Sequence, residues 1–277
     1  MLLIGPAALF TIFMTALPFL QAIEMSLQDF TIGFKGVFAG LENYSTMLKD
    51  PLFWNGLRTT FELYAISLSA QLLLGLYIAV LLNRGLKGSR FLRTILLSPF
   101  TMPSVAVGMM WLILMDPSFG PLNYVLELVG MKKSLFLASP GLVVRSLAAI
   151  DTWQYTPFVV IILLGGLQSL PEEPYEAAEI DGATRSQMFF AITLPLLRSS
   201  IFSAIILRSI DLLRFFDTIY ITTQGGPGTA STTLNVYSYN TGFVYFRMGY
   251  ASALMVTLMA IVMAFVVAFN RIRRRWV

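Results

Sequence analysis

The chain contains no cysteine and no histidine. Without thiols it has no disulfide framework, no cysteine nucleophile and no thiolate metal site. Without imidazole there is no Ser-His-Asp triad and no His-ligated zinc. Charge is scarce too. Acidic and basic residues make up 12% of the 277 positions, about half the ~25% of ordinary soluble domains. In their place stand apolar side chains, 56% of the chain, giving a mean hydropathy of +0.73. A water-soluble fold would have to expose that surplus. A bilayer removes the problem, because its core is itself apolar.

A membrane-crossing helix needs about 20 residues for ~30 Å of hydrocarbon. The stretches that qualify are Leu2–Ile23, Arg58–Leu82, Thr94–Met115, Leu142–Gly165, Ser199–Thr222 and Met248–Asn270. The predicted fold is therefore all-α: one polytopic permease domain over residues 1–277 with six transmembrane helices. A barrel of strands would show short alternating segments instead. The N-terminal stretch has no basic leader and no small-residue cleavage site, so it reads as a span and not as a signal peptide.

Lysine and arginine set the orientation. The loop after the second span holds Arg84, Lys87, Arg90 and Arg93, and the tail holds Arg271, Arg273, Arg274 and Arg275. Arg185 and Arg198 fall on the same side, against Lys35, Lys49, Lys132, Lys133 and Arg247 on the other: ten against five. The positive-inside rule then predicts both termini, and the loop after the fourth span, in the cytoplasm.

That cytoplasmic loop, residues 169–198, is polar and patterned. It carries Glu172, Glu173, Glu176, Glu179 and Asp181. Ser169 with Glu172 matches a capping box opening a helix to Ile180, and Thr184 with Gln187 matches a second one. Gly182 supplies the turn between them, and Pro195 stops the second helix or starts the next span. An interfacial amphipathic hairpin would share this grammar. The acids argue for a basic protein partner, since an acidic helix is repelled by the anionic inner leaflet.

Glu176-Ala177-Ala178, then Gly182, then Ile192-x-Leu194-Pro195 resembles the EAA motif of ABC-importer permeases. Phe216-Asp217-x-Ile219-Tyr220, Thr223-x-Gly225-Gly226-Pro227 and Pro121-x-Asn123 are similar to the maltose-type carbohydrate-uptake branch. The resemblance covers most of the chain. It implies a non-catalytic permease subunit in the bacterial or archaeal inner membrane, forming half of a sugar pathway. Its implied partners are a cytoplasmic ATPase dimer, a second related permease and an extracytoplasmic substrate-binding protein, in a lipid bilayer and with no nucleic acid. Glu176, Ala177, Ala178, Asp181, Gly182, Ile192, Leu194 and Pro195 would form the coupling helix region. The chain itself lacks a phosphate loop: Gly85-Leu86-Lys87-Gly88-Ser89 has the wrong spacing. No cofactor is expected in this chain, and ATP with Mg would be bound by the partner ATPase.

In maltose-type permeases the helices flanking the EAA loop hold the sugar. Counting from the motif, the resemblance places Gln154, Tyr155, Phe158, Arg208, Asp211, Leu212 and Phe215 at those positions. Aromatic faces and hydroxyl partners suit a carbohydrate. Packing between helices explains Tyr155, Phe158 and Phe215 equally well. Arg208, Asp211 and Leu212 differ from the maltose-type pattern. Arg208, Asp211, Arg214 and Asp217 recur every third residue with alternating sign, so either each pairs with the next along the helix or they face a pathway. The rival functional reading is a stand-alone secondary transporter or channel coupled through these charges.

Overall fold

The computed structural model describes residues 5–85 and 89–276. The start of the first predicted span at Leu2, and Lys87 of the basic loop, lie outside the described residues. The helices in chain order are α1 (Gly5–Ser26), α2 (Glu42–Lys49), α3 (Pro51–Asn83), α4 (Ser89–Thr101), α5 (Ser104–Leu114), α6 (Pro121–Leu128) and α7 (Val143–Gln168). They continue with α8 (Glu173–Ile180), α9 (Arg185–Met188), α10 (Leu194–Leu196), α11 (Arg198–Leu213), α12 (Asp217–Thr222), α13 (Leu234–Tyr239) and α14 (Met248–Trp276). Gln28–Asp29 (β1) and Val37–Phe38 (β2) form a two-stranded antiparallel ribbon.

Among the described residues, α3, α7 and α14 are each long and apolar enough to cross a bilayer, and two bent pairs extend that number to five. The pair α4–α5 turns through 102°. Its break falls at Met102-Pro103, where the proline pushes the preceding residue out of helical geometry. Pro103 itself is extended, at φ −58° and ψ 134°. The third predicted span is therefore two helices and not one. The fifth is divided as well: α11 ends at Leu213, and α12 opens only at Asp217.

α3 and α7 form the central packing. Gly75 lets them close, since a Cβ there would sit 2.7 Å from Val159 Cγ1. Two apolar clusters result. One gathers Leu63, Leu68, Leu147, Ile150, Leu212 and Leu254. The other gathers Ala79, Val159, Leu163, Leu197 and Ala204. On α3 and α7 the chain runs from the first cluster to the second, and on α11 it runs back. α3 and α7 are thus parallel, with α11 antiparallel to both. Arg84, which ends α3, and the segment between α7 and α11 share the end of the molecule beyond the second cluster. Ile272 near the end of α14 joins them there, lining a hollow with Phe190, Pro195 and Arg198.

The opposite end is tied by Asp50. It caps α3 through the Leu52 N–H at 2.8 Å and accepts hydrogen bonds from the Tyr237 and Tyr250 hydroxyls, the latter at 2.7 Å. Burial works to raise the Asp50 carboxyl, but these donors together outweigh it and hold its pKa below the ordinary value. Burial, and then the bond to Asp50, push the Tyr237 hydroxyl up to about 12.

Residues 223–245, rich in Gly, Thr, Ser and Asn, form a packed segment between α12 and α14. It contains α13, whose Leu234 and Val236 are fully buried, and the Leu234 N–H donates to Thr60 Oγ1 at 2.9 Å. Its Gly, Thr and Ser residues form a compact hydrogen-bonded turn, with Ser231 Oγ donating to the Gly226 carbonyl at 2.6 Å. Polar composition there marks a folded turn and not a loose one.

Candidate functional site: a polar layer and a cavity beside a broken helix

Between the two apolar clusters lies a layer of polar side chains, one from each central helix: Gln71 of α3, Asp151 of α7 and Arg208 of α11. All three are at most 1% exposed. Arg208 Nη2 donates to both Asp151 oxygens, at 3.1 and 3.0 Å. Arg208 Nε donates to Gln71 Oε1 at 2.9 Å, and Gln71 Nε2 donates to Asp151 Oδ2 at 2.6 Å. The three groups close a ring in which each donor meets an acceptor. A buried ion pair is tolerated when its remaining valences are satisfied in this way. The Arg208 guanidinium also lies 4.1 Å from the centroid of the Tyr155 ring, a cation–π geometry.

This network opens onto a cavity of about 410 Å³. Its walls include Ser104, Tyr155, Asp211, Arg214, Phe215, Phe216, Asp217 and Asn235. The break between α11 and α12 creates it. Arg214 leaves helical geometry at φ −108° and ψ 13°, so Arg214, Phe215 and Phe216 form a short link, and Asp217 begins a new helix. The same break corrects the predicted alternating ladder. Arg208 does reach Asp211, at 3.5 Å. Arg214 instead bonds the Ile210 carbonyl through Nε at 3.2 Å, and among the described residues it forms no ion pair. The i,i+3 spacing holds only while the helix does.

Of the predicted substrate residues, the cavity brings together Tyr155, Arg208, Asp211 and Phe215. It leaves aside Gln154, Phe158 and Leu212. Gln154 is buried and donates to the Met102 carbonyl at 3.1 Å, which supports the α4–α5 break. Phe158 stacks on Phe100 at 5.3 Å between centroids. Leu212 belongs to the first apolar cluster. The reading of the sequence missed Gln71, whose signal was a single amide in the apolar run of α3, and Asn235 of α13. Among the described residues, no cluster of acids could hold a metal ion.

The loop between α7 and α11 presents a second feature. None of the eight residues of α8, Glu173–Ile180, is buried, and Ile180 is 88% exposed. Gly182 turns the chain at φ +75°, a conformation costly for other residues. The Thr184–Gln187 capping box forms. The Ser169–Glu172 box does not: Ser169 ends α7 with its hydroxyl turned back to the Gly166 carbonyl at 2.8 Å, and Glu172 makes no side-chain cap. Pro195 does not stop the second helix. A π-turn over Phe189–Thr193 widens the coil, absorbs the missing proline N–H and carries the chain into α10. A 60° bend before α11 follows.

A mostly helical apolar scaffold with a charged cavity beside a broken helix fits a membrane transport permease. The chain belongs to the family of binding-protein-dependent transport system inner membrane components, whose sequence profile matches residues 71–276. It is 35% identical over 277 residues to the trehalose/maltose transport system permease protein MalF of Thermococcus litoralis, covering 99% of this chain and 92% of that one. It is 34% identical over 275 residues to the sulfoquinovosyl glycerol transport system permease protein SmoG of Agrobacterium fabrum, covering 99% and 89%. The fold matches a bacterial alginate ABC transporter, crystallised with an alginate pentasaccharide-bound periplasmic protein, at a TM-score of 0.85 and 22% identity. That match covers 99% of this chain and 93% of the other. The chain is a transport subunit and not an enzyme.

Proposed function

We propose that this chain forms half of the translocation pathway of an ATP-driven sugar importer in a cytoplasmic membrane. The observation that carries the reading is α8: a short helix with no buried residue, standing at the end of a permease scaffold and tied to it by the Tyr175 hydroxyl, which donates to Thr193 Oγ1 at 3.0 Å. Such a helix, with an 88% exposed Ile180 beside acidic residues, is built to be covered by another protein. Glu176 offers a charge to a basic partner. Ala177 and Ala178 let the helix seat closely, and Asp181 and Gly182 reverse the chain. Ile192, Leu194 and Pro195 link that segment through the π-turn to α11 and hence to the cavity. Closure of a partner ATPase dimer on ATP and Mg would move the loop as a rigid body and tilt α11 against α3 and α7.

The shared end of Arg84, Arg185, Arg198 and the α14 tail supports a cytoplasmic placement of that face, with six crossings and both termini inside. Tyr155, Phe215 and Phe216 provide aromatic faces in the cavity, and Asp211 and Asp217 provide acceptors for hydroxyls. The relatives named for trehalose, maltose and sulfoquinovosyl glycerol support a sugar as cargo. A second permease would close the other half, and a binding protein outside would deliver the solute.

The chain lacks cysteine, so a single cysteine at Ala178 is unique in it. Cross-linking in the native complex is expected to join this cysteine to an ATP-binding subunit. Cross-links only to a second copy of this chain would overturn the coupling assignment.

A further inference from the structure

Where α3 ends against α9, an apolar groove of about 450 Å³ runs along the outer face of the molecule. Leu73, Leu76, Tyr77 and Val80 form its floor on α3, with Phe189 across from them. Leu73 is 72% and Tyr77 65% exposed, while Leu76 and Val80 are partly buried where they pack against the second apolar cluster. Leu73, Tyr77, Val80 and Arg84 follow one another at i, i+4, i+7 and i+11, a single stripe about 16 Å long at 1.5 Å per residue. At one end of the stripe stand two guanidiniums, Arg84 and Arg185, with Ser186 beside them. The same two arginines line an adjoining hollow with Asn83, Gln168, Glu172 and Tyr175. Among the described residues, neither arginine forms an ion pair.

We infer that this groove is a binding site for an anionic phospholipid. The headgroup phosphate sits on Arg84 and Arg185, and one acyl chain lies along Leu73, Leu76, Tyr77 and Val80. The arrangement fits one occupant chemically. A hydrocarbon stripe on a membrane-length helix faces acyl chains. Paired guanidiniums at its end match phosphate oxygens in bidentate geometry. Basic pockets between helices at a membrane face hold anionic headgroups for this reason. Glu172 on the far side of the arginines repels a phosphate from the adjoining hollow and keeps it at the groove. The site depends on α3 crossing the bilayer, but not on which solute is carried. It also has a consequence for transport. Arg185 is the first residue of α9, just beyond the turn at Gly182, so a bound lipid braces the loop that α8 extends from.

The test uses the complete transporter, purified in nonionic detergent with its native partners. Native mass spectrometry is run with added phosphatidylglycerol or phosphatidylcholine. The wild type retains phosphatidylglycerol preferentially, and Arg84→Gln with Arg185→Gln lowers that preference about tenfold, the loss of one charge-assisted contact or more. Excess inorganic phosphate leaves the lipid in place. Equal retention of the two lipids, or an unchanged preference in the variant, overturns the site. Displacement of the lipid by phosphate would reveal a bare anion site and overturn it equally. Should the double variant lose its partners, Leu73→Trp reads the groove directly in otherwise native protein. Its fluorescence is expected to be quenched more by brominated phosphatidylglycerol than by brominated phosphatidylcholine. Cross-linking of a photoreactive group at Tyr77 to a partner protein in place of lipid would also sink the proposal. Sugar uptake that continues in neutral-lipid vesicles leaves the transport reading standing whichever way the lipid result falls.

Discussion

Removing the Asp151 carboxylate should expose what the polar layer does. Asp151→Ala deletes both contacts to Arg208 Nη2, at 3.1 and 3.0 Å, and the 2.6 Å bond from Gln71. Arg208, 1% exposed in the intact chain, keeps Gln71 Oε1, the Tyr155 ring and a 3.5 Å contact to Asp211 as its remaining partners. Charge-assisted hydrogen bonds contribute ~1.5–3 kcal/mol each, and breaking a buried pair by removing one partner costs about 3–5 kcal/mol. Asp151→Ala is therefore expected to destabilise the folded chain by about 3–5 kcal/mol, a shift of roughly a hundredfold to a few thousandfold in the folding equilibrium. Arg208→Met should cost a similar amount, because it strands the carboxylate. The double change Asp151→Leu with Arg208→Met removes both charges together and is expected to cost far less than the sum of the single effects. A thermodynamic cycle on the purified protein in mixed detergent micelles measures this. Additive effects, or single variants as stable as the wild type, would refute the closed ring and the energetic reasoning built on it.

Gly182→Asp should abolish uptake while the protein still inserts and folds, since nothing lies within 4 Å of a Cβ there and the left-handed backbone costs about 1 kcal/mol; full transport by this variant would refute the coupling assignment. Asp211→Ala should weaken uptake about tenfold at low solute without loss of the ATPase partner, and unchanged uptake would make Asp211 purely structural. The Tyr237 hydroxyl titrates at about 12 in the folded chain against 10.0 ordinarily. Its contribution to stability is thus complete below pH 10 and lost between there and 12, so Tyr237→Phe should remove that part of the alkaline loss in a melting series. Asp50 shifts the other way. Its contribution is present above its ordinary value of 3.8 and vanishes as pH falls through the lowered one, and Asp50→Asn should flatten the acid limb of the same series.

The helices were legible because hydropathy over twenty residues is a strong, local signal. α3, α7 and α14 stand where the apolar runs are. The Thr184–Gln187 cap was equally local. What escaped the sequence depended on neighbours distant along the chain. Ser169 looked like the start of α8 but ends α7, because either role needs the same hydroxyl and only the packing of α7 decides. The alternating charges of α11 matched a ladder, yet Arg208 takes its main partner from α7, 57 residues away. Gln71 carries no pattern in its own run and acquires meaning only beside Asp151. Gln154 and Phe158 had the right chemistry for a sugar and face the α4–α5 break, whose 102° turn Pro99 of α4 and Pro103 hint at without giving its direction.

The most direct test of the whole account is solute uptake into sealed vesicles holding the complete transporter, followed with a panel of labelled sugars and with ATP either present or absent on the face that carries α8. The account predicts accumulation that requires ATP, the binding protein and this chain together. Accumulation by this chain alone, driven by an ion gradient and indifferent to ATP, would contradict it and return the Asp211, Arg214 and Asp217 charges to a secondary transporter.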